Sequence, residues 1–305
     1  MAPARDARAQ SQGPVEAALG GISVVVPAYD EEEQIADEIA DLARVLATLS
    51  MESEILVVDD GSDDRTAELA ARAGARVISH PENRGYGAAL KTGIRQARFS
   101  TIVITDADGT YPADAIPAML EKASAYDMVV GARTGASVAD PLARRPAKWL
   151  LQHLASYLAE RRIPDLNSGL RVLKRPIVER FEHLLPSGFS FTTTITLAML
   201  CNDYLVWYHP IDYRTRVGDS KIRALDAYQF FLLIVRTIVY FNPLRVFLPI
   251  GAVLFAAACA RLVYDVLASN ITDTTVLGFL GAIVVWAIGL LSDQIARAGL
   301  GGRSA

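Results

Sequence analysis

Residues 101–109 read Thr101-Ile102-Val103-Ile104-Thr105-Asp106-Ala107-Asp108-Gly109. Five consecutive β-branched residues predict a strand buried on both faces, as in the interior of a parallel sheet. The run stops at two carboxylates one residue apart, and Gly109 supplies backbone that can turn sharply. Asp106 and Asp108 therefore sit at the carboxyl end of a strand, the end at which open parallel sheets bind their ligands.

The same signal recurs along the chain. Residues 22–27 (ISVVVP) and 55–58 (ILVV) read as buried strands, with shorter ones at 76–79 and 128–130. Between them Ile35, Ile39, Leu42, Val45, Leu46 and Leu49 fall at helical spacing, and residues 66–73 and 87–97 read as further helices. Strand and helix in alternation predict an α/β fold, a mostly parallel sheet with helices on both faces. We place this domain at residues 22–221. Asp59 and Asp60 end one strand as Asp106 and Asp108 end another, so carboxylates gather along one edge of the sheet.

The last quarter of the chain changes character. Residues 222–243, apolar and aromatic with Arg236 in their middle, fit an amphipathic helix lying in a membrane interface up to the break at Asn242-Pro243. Residues 244–264 and 276–291 are too uniformly apolar for one-faced burial and read as two transmembrane helices, an anchor spanning 244–298. Arg245 and Arg261 near the ends of the first can snorkel. The intervening loop carries Asp265 and Asp273 but no Lys or Arg, whereas Arg245 precedes the hairpin and Arg297 and Arg303 follow it. The positive-inside tendency thus places the α/β domain, both termini and the tail 299–305 in the cytoplasm. Residues 1–21 have no apolar core of a secretory signal and read as a disordered tail.

Composition removes several classes. A formal charge of -4 argues against a nucleic-acid binder. Cys201 and Cys259 lie far apart, without metal-ligand spacing, and read as ordinary thiols. His80, His153, His183 and His209 are scattered and form no motif. Asn270-Ile271-Thr272 matches a glycosylation sequon, which we take as chance. Asp63 and Asp64 suit helix capping, Gly85 and Gly87 suit close backbone packing, and Arg144, Arg145 and Lys148 form a basic run that can guide an anionic lipid head group.

A hard divalent cation takes oxygen ligands, typically one or two carboxylates plus substrate phosphates. Asp106 and Asp108 can hold Mg²⁺ or Mn²⁺ in that way, neutralising a departing nucleoside diphosphate.

Four segments in order, Pro27-Ala28-Tyr29-Asp30-Glu31-Glu32, Val57-Val58-Asp59-Asp60-Gly61-Ser62-Asp63-Asp64, Asn83-Arg84-Gly85-Tyr86-Gly87 and Asp106-Ala107-Asp108, resemble a family 2 glycosyltransferase with a GT-A (Rossmann-like) fold. Within it the chain is similar to the polyprenyl-phosphate glycosyltransferases, such as the dolichyl-phosphate mannosyltransferases. Asp165-Leu166-Asn167-Ser168-Gly169-Leu170-Arg171 resembles their acceptor motif, and Arg216-Val217-Gly218-Asp219-Ser220-Lys221 their basic loop. The resemblance implies that Pro27, Tyr29 and Glu31 shape a nucleoside pocket and that Val57 and Asp59 meet the base. It implies Asp106 at ribose and metal with Ala107 beside it, and Asp108 as the main metal ligand. Arg133, Arg216 and Lys221 would meet phosphates of donor or acceptor, as suits bidentate arginine contacts, with Ser168 and Arg171 at the acceptor. The chain departs from the pattern at Gly109-Thr110, where some relatives carry a metal-binding Gln, and at Asp30, where Asn is commoner. Its basic loop is one residue shorter, which makes Arg214 an alternative to Arg216.

These expectations converge on an inverting transfer of hexose from UDP-glucose or GDP-mannose to a polyprenyl phosphate at the cytoplasmic membrane face. Asp165 orders the acceptor loop and serves as general base if the acceptor is instead a hydroxyl. Transfer to a glycolipid or polysaccharide hydroxyl, and a non-catalytic nucleotide-sugar scaffold, are the alternatives. Apolar hairpins of this kind can also pack into a homo-oligomer.

Overall fold

The structure, a computed structural model, describes residues 20–133, 152–153, 155–157, 159–188, 190–213, 232, 235–236 and 239–301, with side chains as far as 296. Its centre is a seven-stranded sheet in the order β3-β2-β1-β4-β6-β5-β7. The strands are β1 (Ile22–Ala28), β2 (Ser53–Asp59), β3 (Arg76–Ser79), β4 (Thr101–Ile104), β5 (Met128–Arg133), β6 (Arg171–Lys174) and β7 (Val206–Ile211). All neighbours pair in parallel except β6, which runs antiparallel between β4 and β5. The mostly parallel α/β architecture is thus as the alternation implied.

Successive residues of a strand face opposite sides, and each side has its own core. On one face Val24 and Val26 of β1 join Ile35, Ile39 and Leu42 of helix α1 (Ile35–Leu46) and Met119 of α4 (Ile116–Ala123). On the other, Val25 of β1 and Ile102 and Ile104 of β4 meet Leu90 and Ile94 of α3 (Tyr86–Gln96) and Phe191 and Ile195 of α6 (Phe191–Cys201). Helix α2 (Thr66–Arg72) follows β2, and α5 (Arg175–Phe181) follows β6.

Two elements run against their local sequence. Helix α6 carries Thr192, Thr193, Thr194, Ile195 and Thr196, a β-branched run that favours strand, yet it is buried on every side and tertiary packing decides its form. Strand β6 is four residues bounded by Arg171 and Lys174, too short and too charged to show alternation.

The C-terminal hairpin consists of α7 (Leu244–Leu267) and α8 (Asp273–Gly301), each long and apolar enough to cross a membrane, with a mean hydropathy of 2.2. Small residues bring the two together: Gly251 lies under Trp286, Gly278 against Ala258 and Gly289 against Phe247. Asp265 closes the far end, accepting from Thr272 N (2.8 Å), Thr272 Oγ1 (2.6 Å) and Thr275 Oγ1 (2.6 Å), with Arg261 Nε at 3.2 Å. At the near end Phe241 is buried in the catalytic core against Phe181. Arg245 donates to Tyr157 O at 2.8 Å and pairs with Glu160, so the hairpin is rooted in the catalytic domain. Most of the expected interfacial segment 222–243, the tail before residue 20 and the last four residues lie outside the described residues.

Candidate active site

The chain runs from β1 outward through β2 to β3, then returns to lay β4 on the other side of β1. Ligands of open sheets bind at such a reversal, outside the carboxyl ends of the strands. Ala28 pairs with Asp59 in register, and Asp60 N donates to Ala28 O at 2.8 Å. The carboxyl ends of β2 and β4 thus flank that of β1, the crevice position of an open sheet.

The loops after β1 and β2 latch to each other. Asp30 N donates to Ser62 Oγ (3.0 Å), Asp63 N to Asp30 Oδ1 (3.1 Å), Glu31 N to Thr66 Oγ1 (2.9 Å) and Glu32 N to Asp64 Oδ2 (3.1 Å). Asp30 has φ 51°, a left-handed conformation that Asp tolerates nearly as Asn does, which accounts for its replacing the commoner residue. The latch presents Tyr29 and Glu31, both half-exposed, beside the crevice. The charge of Asp30 raises the Tyr29 hydroxyl above its usual pKa. Asp64 Oδ1 also accepts from Thr66 N at 2.9 Å, a local turn bond just before the helix that starts at Thr66.

Asp59 and Asp60 are adjacent but differently used. Asp59 is buried beneath the crevice, its Oδ1 accepting from Ser62 N at 3.2 Å. Asp60 points to the 80s loop, accepting from Arg84 N (3.1 Å) and Gly85 N (2.7 Å), with His80 Nδ1 2.6 Å away. His80 Nε2 meets Thr92 Oγ1 at 2.9 Å, so this histidine, which no motif announced, pins the loop to α3. Gly85 (φ 97°) and Gly87 lie against Ser187 and Pro186 backbone, where a Cβ would come within 2.6 and 2.3 Å of carbonyl oxygens.

Asp106 and Asp108 are half-exposed at the crevice, and Ala107 between them is buried. Asp108 Oδ1 accepts from Thr110 N (3.2 Å) and Thr110 Oγ1 (2.5 Å) across the turn at Gly109, so Thr110 orients the carboxylate. Asp106 Oδ1 accepts from Tyr86 Oη at 2.8 Å. Burial, followed by the charge of Asp106, holds the Tyr86 hydroxyl well above its usual pKa and hence as a donor.

Arg133 ends β5 and grips Asp165 with two parallel bonds, Nε to Oδ2 at 2.7 Å and Nη2 to Oδ1 at 2.9 Å; its backbone N also donates to Oδ2 at 3.1 Å. Its guanidinium stacks on Tyr213 at 5.3 Å, and Tyr213 meets Tyr111 edge-on at 5.2 Å. Burial raises the Asp165 pKa, but the hydrogen bonds and charge of Arg133 outweigh it and hold the carboxylate below its ordinary range. Such a carboxylate is a weak general base, and it neutralises much of the Arg133 charge in turn.

Burial encloses the side chains of four residues expected at the ligands. Arg171 has no exposed surface and donates to Ser168 O (2.7 Å), Leu166 O (3.0 Å) and Thr196 Oγ1 (2.6 Å). Ser168 is equally enclosed, its hydroxyl donating to Gly131 O. Neither side chain has surface to offer an acceptor; together they fold the turn that joins Asp165 to β6. The Val57 side chain is sealed in the core of β2, and Pro27 is buried in β1. Arg216 and Lys221, and Arg214 as alternative, lie outside the described residues.

Among the described residues no group of three or more His, Cys, Asp or Glu could hold a metal by itself. Asp106 and Asp108 instead offer half-exposed hard oxygen donors, which suits a cation that completes its shell with substrate phosphates and water.

The pattern described as Glycosyl transferase family 2 matches residues 23–181. The chain belongs to glycosyl transferase family 2. A second pattern, GtrB C-terminal hairpin, matches residues 242–298, the α7–α8 pair. The chain is similar to a dolichyl-phosphate hexose transferase of Haloferax volcanii, 34% identical over 66% of this chain and 86% of the relative. It is 31% identical to an undecaprenyl-phosphate 4-deoxy-4-formamido-L-arabinose transferase of Pseudomonas fluorescens, over 57% of this chain and 55% of that protein, so it spans about half the length of this relative. Glucosyl-3-phosphoglycerate synthase from Mycobacterium tuberculosis, crystallised with Mn²⁺, uridine-diphosphate and phosphoglyceric acid, shares the fold at a TM-score of 0.58 and 23% identity, covering 73% of this chain and 81% of that one. This family 2 chain therefore joins a GT-A-like domain to a hairpin with a family pattern of its own.

Proposed function

We propose that this family 2 glycosyltransferase transfers a hexose from a nucleotide sugar to a polyprenyl phosphate at the membrane surface. The observation that carries the reading is the placing of half-exposed Asp106 and Asp108 and buried Asp59 at the ends of the two strands that flank β1, in a domain rooted through Arg245 to an apolar hairpin. The names of the Haloferax and Pseudomonas relatives support the lipid-phosphate acceptor, and the mycobacterial fold neighbour supports a UDP-type donor with Mn²⁺; GDP-mannose stands beside UDP-glucose as donor.

Asp108 and Asp106 would hold Mg²⁺ or Mn²⁺. Bound there, the cation would offset negative charge on the leaving diphosphate. Tyr29 and Glu31 flank the nucleoside, Asp59 accepts from its base, and Asp106 also faces the ribose. A phosphomonoester has a second pKa near 6 and is largely dianionic at neutral pH. It needs positioning rather than deprotonation, which matches a site in which Arg133 holds Asp165 as a carboxylate. Attack at the anomeric carbon from the side opposite the diphosphate inverts configuration. Arg216 and Lys221, with the exposed edge of Arg133, supply the phosphate contacts. The hairpin keeps the crevice at head-group height, with the catalytic domain and both termini on the cytoplasmic side.

The test is to supply labelled UDP- and GDP-hexoses to membranes bearing the protein. A label that becomes soluble in organic solvent and is released by mild acid supports the reading. A product stable to mild acid would replace the lipid phosphate with a hydroxyl acceptor.

A further inference from the structure

Asp106 is contacted by two residues far away in sequence. Tyr86, the first residue of α3, donates to Asp106 Oδ1 at 2.8 Å. Gly169 packs directly on the same carboxylate: a Cβ placed there would lie 2.5 Å from Asp106 Oδ2 and 2.8 Å from its Cγ. The missing side chain at 169 is what lets the carboxylate rest where it does. Gly169 does not adopt the left-handed backbone found at Gly85 or Gly109, so a methyl there conflicts with Asp106 rather than with its own chain.

Both supports are themselves fixed. Gly169 N donates to Tyr111 Oη at 2.7 Å in a buried setting, and the turn carrying it is folded on buried Arg171. Tyr86 is preceded by Gly85, whose N donates to buried Asp60 at 2.7 Å, and followed by Gly87 packed on Pro186. We propose that Tyr86 and Gly169 are positioning residues for Asp106, one bonding and one walling its carboxylate so that it faces the cation and ribose. The 165–171 motif then acts at the donor carboxylate, through Gly169, in place of the acceptor contacts expected of Ser168 and Arg171. The same turn holds Arg133 through Asp165, so one short segment sets the groups on both sides of the reacting centre.

The proposal rests on the metal reading above, and the experiment separates the two. Mn²⁺ binding to the full-length protein in detergent micelles, with UDP or GDP present, is followed by electron paramagnetic resonance, alongside the thermal midpoint. Outer hydrogen-bond partners of metal ligands typically contribute about 10–100-fold in affinity. Tyr86→Phe should weaken Mn²⁺ about tenfold with little change in midpoint, and Gly169→Ala by at least as much. In an Asp106→Ala background neither substitution should weaken Mn²⁺ further, because both act through the missing carboxylate. Equal losses in both backgrounds would overturn the proposal, as would unchanged Mn²⁺ affinity in both variants when Asp106→Ala alone reduces it. A wild-type protein that binds no Mn²⁺ with either nucleotide would instead remove the metal reading itself, and the brace with it.

Discussion

At the strand ends Asp59 and Asp60 are each 4% exposed, and backbone N–H groups of Ser62, Arg84 and Gly85 turn toward them. In the hairpin Leu267, Val253 and Ile295 are 81%, 69% and 72% exposed, and the interior is built from Gly251, Ala258 and Ala282. The two regions place polarity in opposite ways because they answer to different surroundings. A domain in water gains by burying Ile and Val and tolerates a buried acid only where hydrogen bonds replace hydration. Two helices in lipid gain nothing by hiding leucine, and they associate through close contact of small residues. One chain therefore carries a water-built crevice and a lipid-built anchor, joined at Phe241 and Arg245.

That division can be broken first at the crevice. Asp108→Ala should lower transfer about a thousandfold, the several kcal/mol that a Lewis acid contributes to a departing diphosphate, while leaving the thermal midpoint near that of the parent. Steady-state assay with the metal varied checks this; activity retained without added metal would sever Asp108 from the chemistry. Asp165→Ala should act on stability instead. It strands Arg133 without its buried partner, at a cost of about 3–5 kcal/mol near neutral pH. The sign follows from the lowered Asp165 pKa: the carboxylate stabilises the fold fully above its unfolded value near 4 and ceases to as pH falls through the lower folded value. Denaturant unfolding of variant and parent should therefore differ most at neutral pH and converge in acid. A variant of parental stability that has lost turnover would return Asp165 to the role of base.

The sheet, its parallel order and the carboxylate edge were legible because β-branched runs ending in Asp are strong local signals. The hairpin was legible because a helix apolar all round leaves no face for water and belongs in lipid or a large core. What escaped was set by contacts between distant segments. Thr192–Thr196 look like strand until the enclosing core makes them helix. Asp60 reads as one more carboxylate of the sheet edge until it is seen holding Gly85 and His80. Arg171 is assigned to the acceptor by the motif that residues 165–171 resemble; only the structure shows Ser168 O, Leu166 O and Thr196 Oγ1 taking its donors. Tyr86 stood inside a quoted motif, but its value lies in reaching Asp106 twenty residues on, which spacing does not disclose.

The hairpin offers the smaller and more discriminating test. Asp265 is 1% exposed, the place where the anchor adopts the crevice's solution of a buried acid satisfied by surrounding donors. Replacing it with Ala removes acceptors from Thr272 and Thr275 and the partner of Arg261, at the turn where the two helices meet. Thr272 N–H loses its acceptor, whereas Arg261 is half-exposed and finds other partners, so the cost should be about 1–3 kcal/mol. Thermal unfolding in detergent should show an earlier transition for Asp265→Ala, with nucleotide affinity unchanged, because the bonds of Asp265 stay within the hairpin. If the substitution weakens nucleotide binding as well, the hairpin and the crevice share a cooperative unit through the Arg245–Tyr157 junction, and the separation between water-built and lipid-built halves fails there.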